Sequence, residues 1–306
     1  MLDLHKTGIL PEVIAMQLDM GKEEVVKIIA NADSQEGKKR MSIKTAEQSF
    51  LGMFYLDAVV NIDNIIRSAQ LEMWRSLKGE MAFDISTEDT QDVLAGAAES
   101  KVTLVILYID IVGSTKLSMT LPVDKLAAIV RAFTHEMSLV VSAYGGYVLK
   151  YLGDAVLAFF IVNDKSDLYI PCINAVHCAR SMIRGVMEGF NPILSQNDYQ
   201  ELSVRVGIDV GEVAVVQYGW NIQSTIIDGR QVSTKKALHD ILGYTISVAS
   251  KITGLAEPNQ VVVGQYVYEA LDKEQKGAFA LMSVPPGIWS YVSSKTGNPY
   301  KLYSRS

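Results

Sequence analysis

The chain has 306 residues, 49% of them hydrophobic and 20% charged, with 34 acidic against 28 basic residues and a formal net charge of -6. That length suits one large domain plus something smaller, and the acidic balance argues against nonspecific nucleic-acid binding by the chain as a whole. The two cysteines, Cys172 and Cys178, fall short of the ligand set of a structural zinc site, and on a predicted helix they read as buried thiols in a reducing compartment. The start, MLDLHKTGIL, has neither the basic flank nor the apolar stretch of a signal peptide. No apolar run approaches the ~20 residues of a membrane helix, the longest being interrupted by Asp110 or Asp154. The expectation is a cytoplasmic protein outside the membrane.

Residues 7 to 30 predict a helix, a short turn at Met20-Gly21, and a second helix from Lys22 with Glu23 and Glu24 in its first turn. Ile14, Ala15 and Leu18 before the turn and Val25, Ile28 and Ile29 after it supply one apolar face, so residues 1–40 read as a helix-turn-helix-like module. Its second helix opens Lys22-Glu23-Glu24, the wrong charge for strong phosphate contact. A protein-protein or regulatory role is therefore read first, with DNA binding as the alternative. Ser34 to Arg40 is polar and reads as a linker.

Residues 41–99 read as a helical connector. From Thr45 to Leu77 an apolar stripe through Phe50, Met53, Phe54, Leu56, Val59, Val60, Ile65 and Ile66 requires burial, on the following domain or across a dimer. Residues 78 to 99 are acidic and glycine-containing and read as a link. After residue 100 the predicted order is strand (102–109), helix (122–143), hairpin (147–152 and 155–162), helix (170–188) and strand (202–210). This is a β-α-β-β-α-β unit, ferredoxin-like and of the α+β class. A strand at 212–217, a polar insert at 218–239, a helix at 244–255 and strands near 260, 281 and 302 follow, completing one mixed sheet covered by helices over residues 100–306. A small all-α region precedes it.

Two carboxylates stand out. Asp154 follows Gly153 between two apolar runs, the pattern of a tight hairpin turn, and Asp110 ends the apolar run from Val102. The ferredoxin-like order brings the first strand beside the central hairpin, so both fall at one end of the sheet, where a pair of hard divalent cations needs them. Ile111, Val112, Gly113, Ser114 and Thr115 would then offer backbone N–H groups near a helix start to phosphate oxygens.

Tyr108 to Thr115 (YIDIVGST), the KxxGD pattern from Lys150 to Asp154, RVGIDVGEV from Arg205 to Val213, and the run from Asp240 to Ser250 together resemble a class III nucleotide cyclase catalytic domain. The resemblance covers about residues 100–306, with the four motifs in the family's order. It implies that Asp110 and Asp154, with Ile111 between them in the metal site, hold two Mg2+ or Mn2+ ions. It implies in-line attack of the ribose 3'-hydroxyl on the α-phosphorus, with pyrophosphate leaving. Lys150 and Asp240 fall on the base-selecting pair: lysine donates to adenine N1 and aspartate accepts from the exocyclic amine. Guanine presents the opposite set, so ATP is expected over GTP.

Two positions depart from the family's pattern. Where it has asparagine for the ribose and arginine for the α-phosphate, this chain has Ser247 and Lys251. Four apart on a predicted helix, they share a face. Serine has fewer hydrogen-bonding groups, and lysine keeps the charge but loses the planar fork. Arg230, Lys235 and Lys236 are further cations, and Lys295 sits where the family often has a triphosphate-binding lysine. The resemblance also implies a homodimer, with metal ligands from one subunit and base, ribose and phosphate residues from the other. The expectation is an adenylate cyclase making 3',5'-cyclic AMP. The alternatives are a cyclase using GTP or a pyrimidine nucleotide, and a degenerate cyclase acting as a nucleotide sensor.

Overall fold

A computed structural model describes residues 2–36, 61–80, 87–163, 166–227 and 230–305. The chain opens with helices α1 (Leu2–Lys6), α2 (Pro11–Gln17), α3 (Lys22–Glu36), α4 (Ile62–Lys78) and α5 (Glu88–Gly96). Strand β1 (Lys101–Ile111) leads to α6 (Ser114–Thr120) and α7 (Val123–Ala143), then the hairpin β2 (Tyr147–Leu152) and β3 (Ala155–Ile161). Helix α8 (Tyr169–Arg184) continues through a π-helical segment (Gly185–Phe190) into α9 (Asn191–Gln196). There follow β4 (Val204–Ile227), β5 (Arg230–Leu242), α10 (Tyr244–Leu255), β6 (Gln260–Gly264), α11 (Gln265–Ala270), α12 (Lys273–Gly277), β7 (Ala280–Leu281) and β8 (Leu302–Arg305). These elements pack as two compact units.

The first unit holds the described residues of Met1–Phe83 with Val112–Ala143 and Arg180–Ser203. The turn before α3 forms where the sequence places it, and Ile14, Ala15, Val25 and Ile29 are buried. The expected first helix is instead split into α1 and α2. Gly8 adopts a left-handed φ of 89° and Pro11 starts α2, so the chain turns between them. Leu18 is 42% exposed, and Lys22 pairs with Glu12 at 2.9 Å.

Helix α4 is capped by Asn61, whose side chain accepts from the Asp63 N–H, and closed by left-handed Gly79. Its Ile65, Ile66, Ala69, Met73 and Leu77 are buried, recurring at the helical period, and it packs against α7 and the π-helical segment. The stripe expected from Thr45 is thus buried within the chain over its described part. Residues 45–60, with Phe50, Met53, Phe54, Leu56, Val59 and Val60, lie outside the described residues. Gly189 allows α4 this close: a Cβ there would stand 2.5 Å from that of Ala69. Buried Gln70 accepts from the Leu10 N–H and donates to the carbonyls of Gly8 and Glu188, each at 2.9 Å. Helix α7 is long and apolar enough to cross a membrane by length and composition, but it buries Ile129, Phe133, Met137 and Val140 and carries Arg131, His135 and Glu136.

The second unit holds the described residues of Asp84–Ile111, Tyr144–Ala179 and Val204–Ser306. Its sheet runs β2-β3-β1-β4-β6-β8-β7, with β5 paired to β4. The order β2-β3-β1-β4 is that of the ferredoxin-like unit. Leu104, Ile106, Leu157, Phe159, Val213 and Val215 share one core cluster. Every second residue of β4 there is small or acidic: Gly207 and Gly211 flank Asp209. Helix α10 covers that face, where a Cβ on Gly207 would come within 2.6 Å of the Ala249 carbonyl and one on Gly211 would overlap Thr245 Oγ1.

Two expectations are corrected. The strands at 202–210 and 212–217 are one strand, and the polar insert at 218–239 is most of a long antiparallel ribbon formed by β4 and β5. Gly211 does not end the strand, because it remains paired with Leu104. Between Tyr218 and His239 polar residues outnumber apolar ones, which masks strand periodicity in the sequence. The link at 78–99 contains α5, anchored by buried Leu94 and by Thr90 Oγ1 donating to the Val148 carbonyl at 2.8 Å.

Candidate active site

Asp154 lies in the two-residue turn between β2 and β3, after the Leu152–Ala155 pair and beside left-handed Gly153. Asp110 is the next residue after Ile109, which pairs with Val156, so antiparallel register delivers it next to that turn. Burial, with Asp154 nearby, raises the Asp110 pKa above the usual carboxylate range despite the Arg205 hydrogen bond. The oxygen Asp154 Oδ2 is buried and accepts no hydrogen bond. Two adjacent carboxylates with a buried, unpartnered oxygen are suited to a hard divalent cation. Among the described residues no group of three or more His, Cys, Asp or Glu side chains gathers elsewhere as a metal site.

Arg205 carries no role legible in the sequence. It stands opposite Asp110 in the β1–β4 register and donates to Asp110 Oδ2 from its guanidinium at 2.7 and 3.1 Å. The signal is present in RVGIDVGEV, where a cation stands at the start of a strand that opens apolar. Tyr108, two residues before Asp110, has its pKa raised by burial and then by the charges of Asp110 and Asp154.

The segment after Asp110 is divided in its hydrogen bonding. The Val112 N–H donates to the Ser203 carbonyl at 2.8 Å, which satisfies it within the chain. Gly113 is left-handed at φ 71° and precedes Ser114 and Thr115, the first turn of α6.

Lys150 and Asp240 come together although 90 residues separate them, with Nζ 2.5 Å from Oδ2. A bulge in β2 between Val148 and Lys150 turns Lys150 to the face of its partner Leu157. Asp240 stands opposite Val216 in the ribbon, and its Oδ1 accepts from the Ile241 N–H at 2.8 Å. One charged donor and one charged acceptor therefore sit side by side, partly exposed.

Ser247 and Lys251 lie on the exposed face of α10. The opposite face buries Val248, Ala249, Ile252 and Thr253, and Thr253 Oγ1 donates to the Ala249 carbonyl at 2.8 Å and lies 3.3 Å from the Tyr108 carbonyl. Lys251 Nζ sits 5.9 Å above the Tyr291 ring, and exposed Lys295 Nζ sits 4.4 Å above the Tyr266 ring. Lys236 pairs with Asp92 at 2.8 Å, Lys235 is exposed, and the Arg230 side chain lies outside the described residues. Cys172 and Cys178 are buried, their thiol pKa values pushed up by burial, Cys172 to about 12, as inert core thiols should be.

Comparison with known proteins identifies the family. The family described as the adenylate and guanylate cyclase catalytic domain matches residues 97–283. A cytidylate cyclase of Staphylococcus aureus is 29% identical over 175 residues, 56% of this chain and 38% of that protein. A cytidylate cyclase of Escherichia coli is 30% identical over 172 residues, 55% of this chain and 35% of that protein. The chain thus spans little more than a third of the length of these relatives. A uridylate cyclase of Burkholderia cepacia is 25% identical over 198 residues, 62% of this chain and 77% of that protein. Among solved structures, the crystal structure of the guanylyl cyclase Cya2 superposes with a TM-score of 0.51 at 17% identity, covering 67% of this chain and 92% of that one, a likeness of fold.

Proposed function

Because the chain belongs to the adenylate and guanylate cyclase catalytic domain family, we propose that it converts a nucleoside triphosphate bearing an amino-type base, ATP or CTP, into the 3',5'-cyclic monophosphate and pyrophosphate. The observation that carries the base reading is the Lys150–Asp240 contact. Adenine offers a ring-nitrogen acceptor beside an exocyclic amine, and cytosine offers the same pair on its own edge. Lysine donates to the first and aspartate accepts from the second. Guanine and uracil present a ring N–H beside a carbonyl and leave both side chains opposed to like groups. The first expectation, ATP, thus stands beside one of its pyrimidine alternatives, CTP, in keeping with the cytidylate cyclases among the relatives.

Asp110 and Asp154, with Ile111 between them in sequence, are the residues that would hold Mg2+ or Mn2+, whose charge when bound favours ionisation of the 3'-hydroxyl and takes up charge on the triphosphate. The chain's own groups do the rest. Lys150 and Asp240 orient the base. The Ser247 hydroxyl meets the ribose, and Lys251 and Lys295 place positive charge along the phosphates. The 3'-oxygen forms its bond to the α-phosphorus as the bond to pyrophosphate breaks. Because Ser247 and Lys251 face outward on α10, the reading places them opposite the carboxylates of a second copy, in a homodimer. The N-terminal helices are read as a regulatory module.

The test is incubation with each triphosphate separately in the presence of manganese, with identification of the product. Release of a 3',5'-cyclic nucleotide with equimolar pyrophosphate is expected. Nucleotide binding without turnover at high enzyme concentration would overturn the enzymatic reading in favour of a sensor.

A further inference from the structure

Asp209 is a buried acid near the start of β4, 2% exposed, in a position where an apolar side chain would pack at lower cost. Its partners are the Tyr300 hydroxyl, which donates to Oδ1 at 2.6 Å, and the Val210 backbone N–H. The contact has its space reserved. A Cβ on Gly264 would overlap Asp209 Oδ1 and stand 2.8 Å from the Tyr300 hydroxyl oxygen.

Tyr300 is also the base of a small reversal of the chain. Its N–H donates to the Tyr291 carbonyl at 2.8 Å, the Ser293 N–H donates to the Asn298 carbonyl at 2.8 Å, and Lys295 lies at the tip between them. Tyr266 holds that tip. Its hydroxyl lies 2.7 Å from Ser293 Oγ and accepts from the Lys295 N–H at 3.2 Å, while its ring lies beneath the Lys295 ammonium. The Tyr266 N–H in turn reaches the Tyr300 hydroxyl at 3.3 Å. Burial alone would raise the Tyr266 pKa, but the Ser293 and Ser294 hydroxyls and Lys295 hold it below its ordinary value. At the other side of the reversal Tyr291 lies under Lys251.

We propose that Asp209 is a positioning residue: by holding Tyr300 it seats the reversal that carries Lys295 at its tip and Tyr291 beneath Lys251, and so sets the cations that receive the triphosphate. This rests on the assignment of those lysines to the triphosphate made above. The acid never touches substrate. It acts through one phenol, which fixes both the root of the reversal and, through Tyr266, its tip.

The experiment is a double-mutant cycle on KM for the preferred triphosphate, using the full chain. Lys295→Ala is expected to raise KM about tenfold, and Tyr300→Phe, which keeps the ring and loses the hydroxyl, to raise it by a similar factor. In the double variant the combined penalty should fall well short of the product of the two, because Tyr300 works chiefly through Lys295, with the seat of Lys251 on Tyr291 as the remaining route. Asp209→Asn, which keeps an acceptor for the Tyr300 hydroxyl, should stay near the parent KM, whereas Asp209→Leu should behave as Tyr300→Phe. Tyr266→Phe releases the tip without touching the buried pair and gives the same reading if Tyr300→Phe does not fold. Multiplying penalties, or an unchanged KM in Tyr300→Phe, would overturn the positioning role alone. An unchanged KM in Lys295→Ala would overturn the triphosphate assignment and this inference with it.

Discussion

The Lys150 ammonium and the Asp240 carboxylate lie 2.5 Å apart, brought together from β2 and β5 by a bulge in one strand and the long ribbon of the other. In the free protein each satisfies the other. Under the proposed function, the same pair would present a donor and an acceptor side by side to one base edge. Lys150→Ala and Asp240→Ala should each lower kcat/KM for the preferred nucleotide by about 10- to 100-fold, as expected for removal of a charged hydrogen-bonding partner. Activity on GTP and UTP should change much less, so the measured selectivity ratio collapses. A variant that loses activity equally on all four triphosphates would show that the pair supports the fold and not the base.

The carboxylate pair makes a separate expectation. Asp154→Asn keeps the shape of the hairpin turn but replaces the buried unpartnered oxygen, and should weaken Mn2+ binding as read by electron paramagnetic resonance without nucleotide. Turnover should fall by about 100-fold or more. Unchanged Mn2+ binding in both Asp154→Asn and Asp110→Asn would remove the metal assignment.

Shared sites are testable by mixing. Asp110→Ala and Lys251→Ala should each be nearly inactive alone, while an equimolar mixture should recover part of the activity through heterodimers carrying one intact site. No recovery after prolonged co-incubation would place a complete site within one copy.

The pH dependence of stability has a defined sign at Glu136. The group is buried, and burial, partly offset by Ser68 and reinforced by Glu72, raises its pKa from 4.5 to about 7. Between those values the folded chain keeps a proton that the unfolded chain releases, so this contribution is full below pH 4.5, falls as pH rises and is lost above about 7. Its size is roughly 3 kcal/mol. Glu136→Gln is neutral throughout, so its Tm should fall less than the parent's between about pH 5 and about pH 7.5. Asp209, raised from 3.8 to about 7 by burial, adds a slope of the same sign to both proteins. The difference between them is therefore the readout.

What the sequence made legible follows from local rules. The Gly153-Asp154 turn, the apolar strand ending at Asp110 and the α10 boundaries at Tyr244 and Leu255 are set by neighbouring residues, and the ferredoxin-like strand order follows from their succession. Arg205 and Asp209 stand within a motif but the sequence shows no role for them, because their partners Asp110 and Tyr300 are 95 and 91 residues away. The ribbon of β4 and β5 reads as an insert because polar residues outnumber apolar ones between Tyr218 and His239, and Gly211 looks like a strand end until its pairing with Leu104 is seen. The link before β1 hid α5 because its burial rests largely on Leu94 and Thr90.

The most direct measurement is a competition: the parent protein with equimolar ATP, CTP, GTP and UTP and manganese, with the cyclic products identified by mass spectrometry. Cyclic AMP or cyclic CMP is expected to dominate if Lys150 and Asp240 read the edge those two bases share. Cyclic UMP or cyclic GMP as the main product would contradict it.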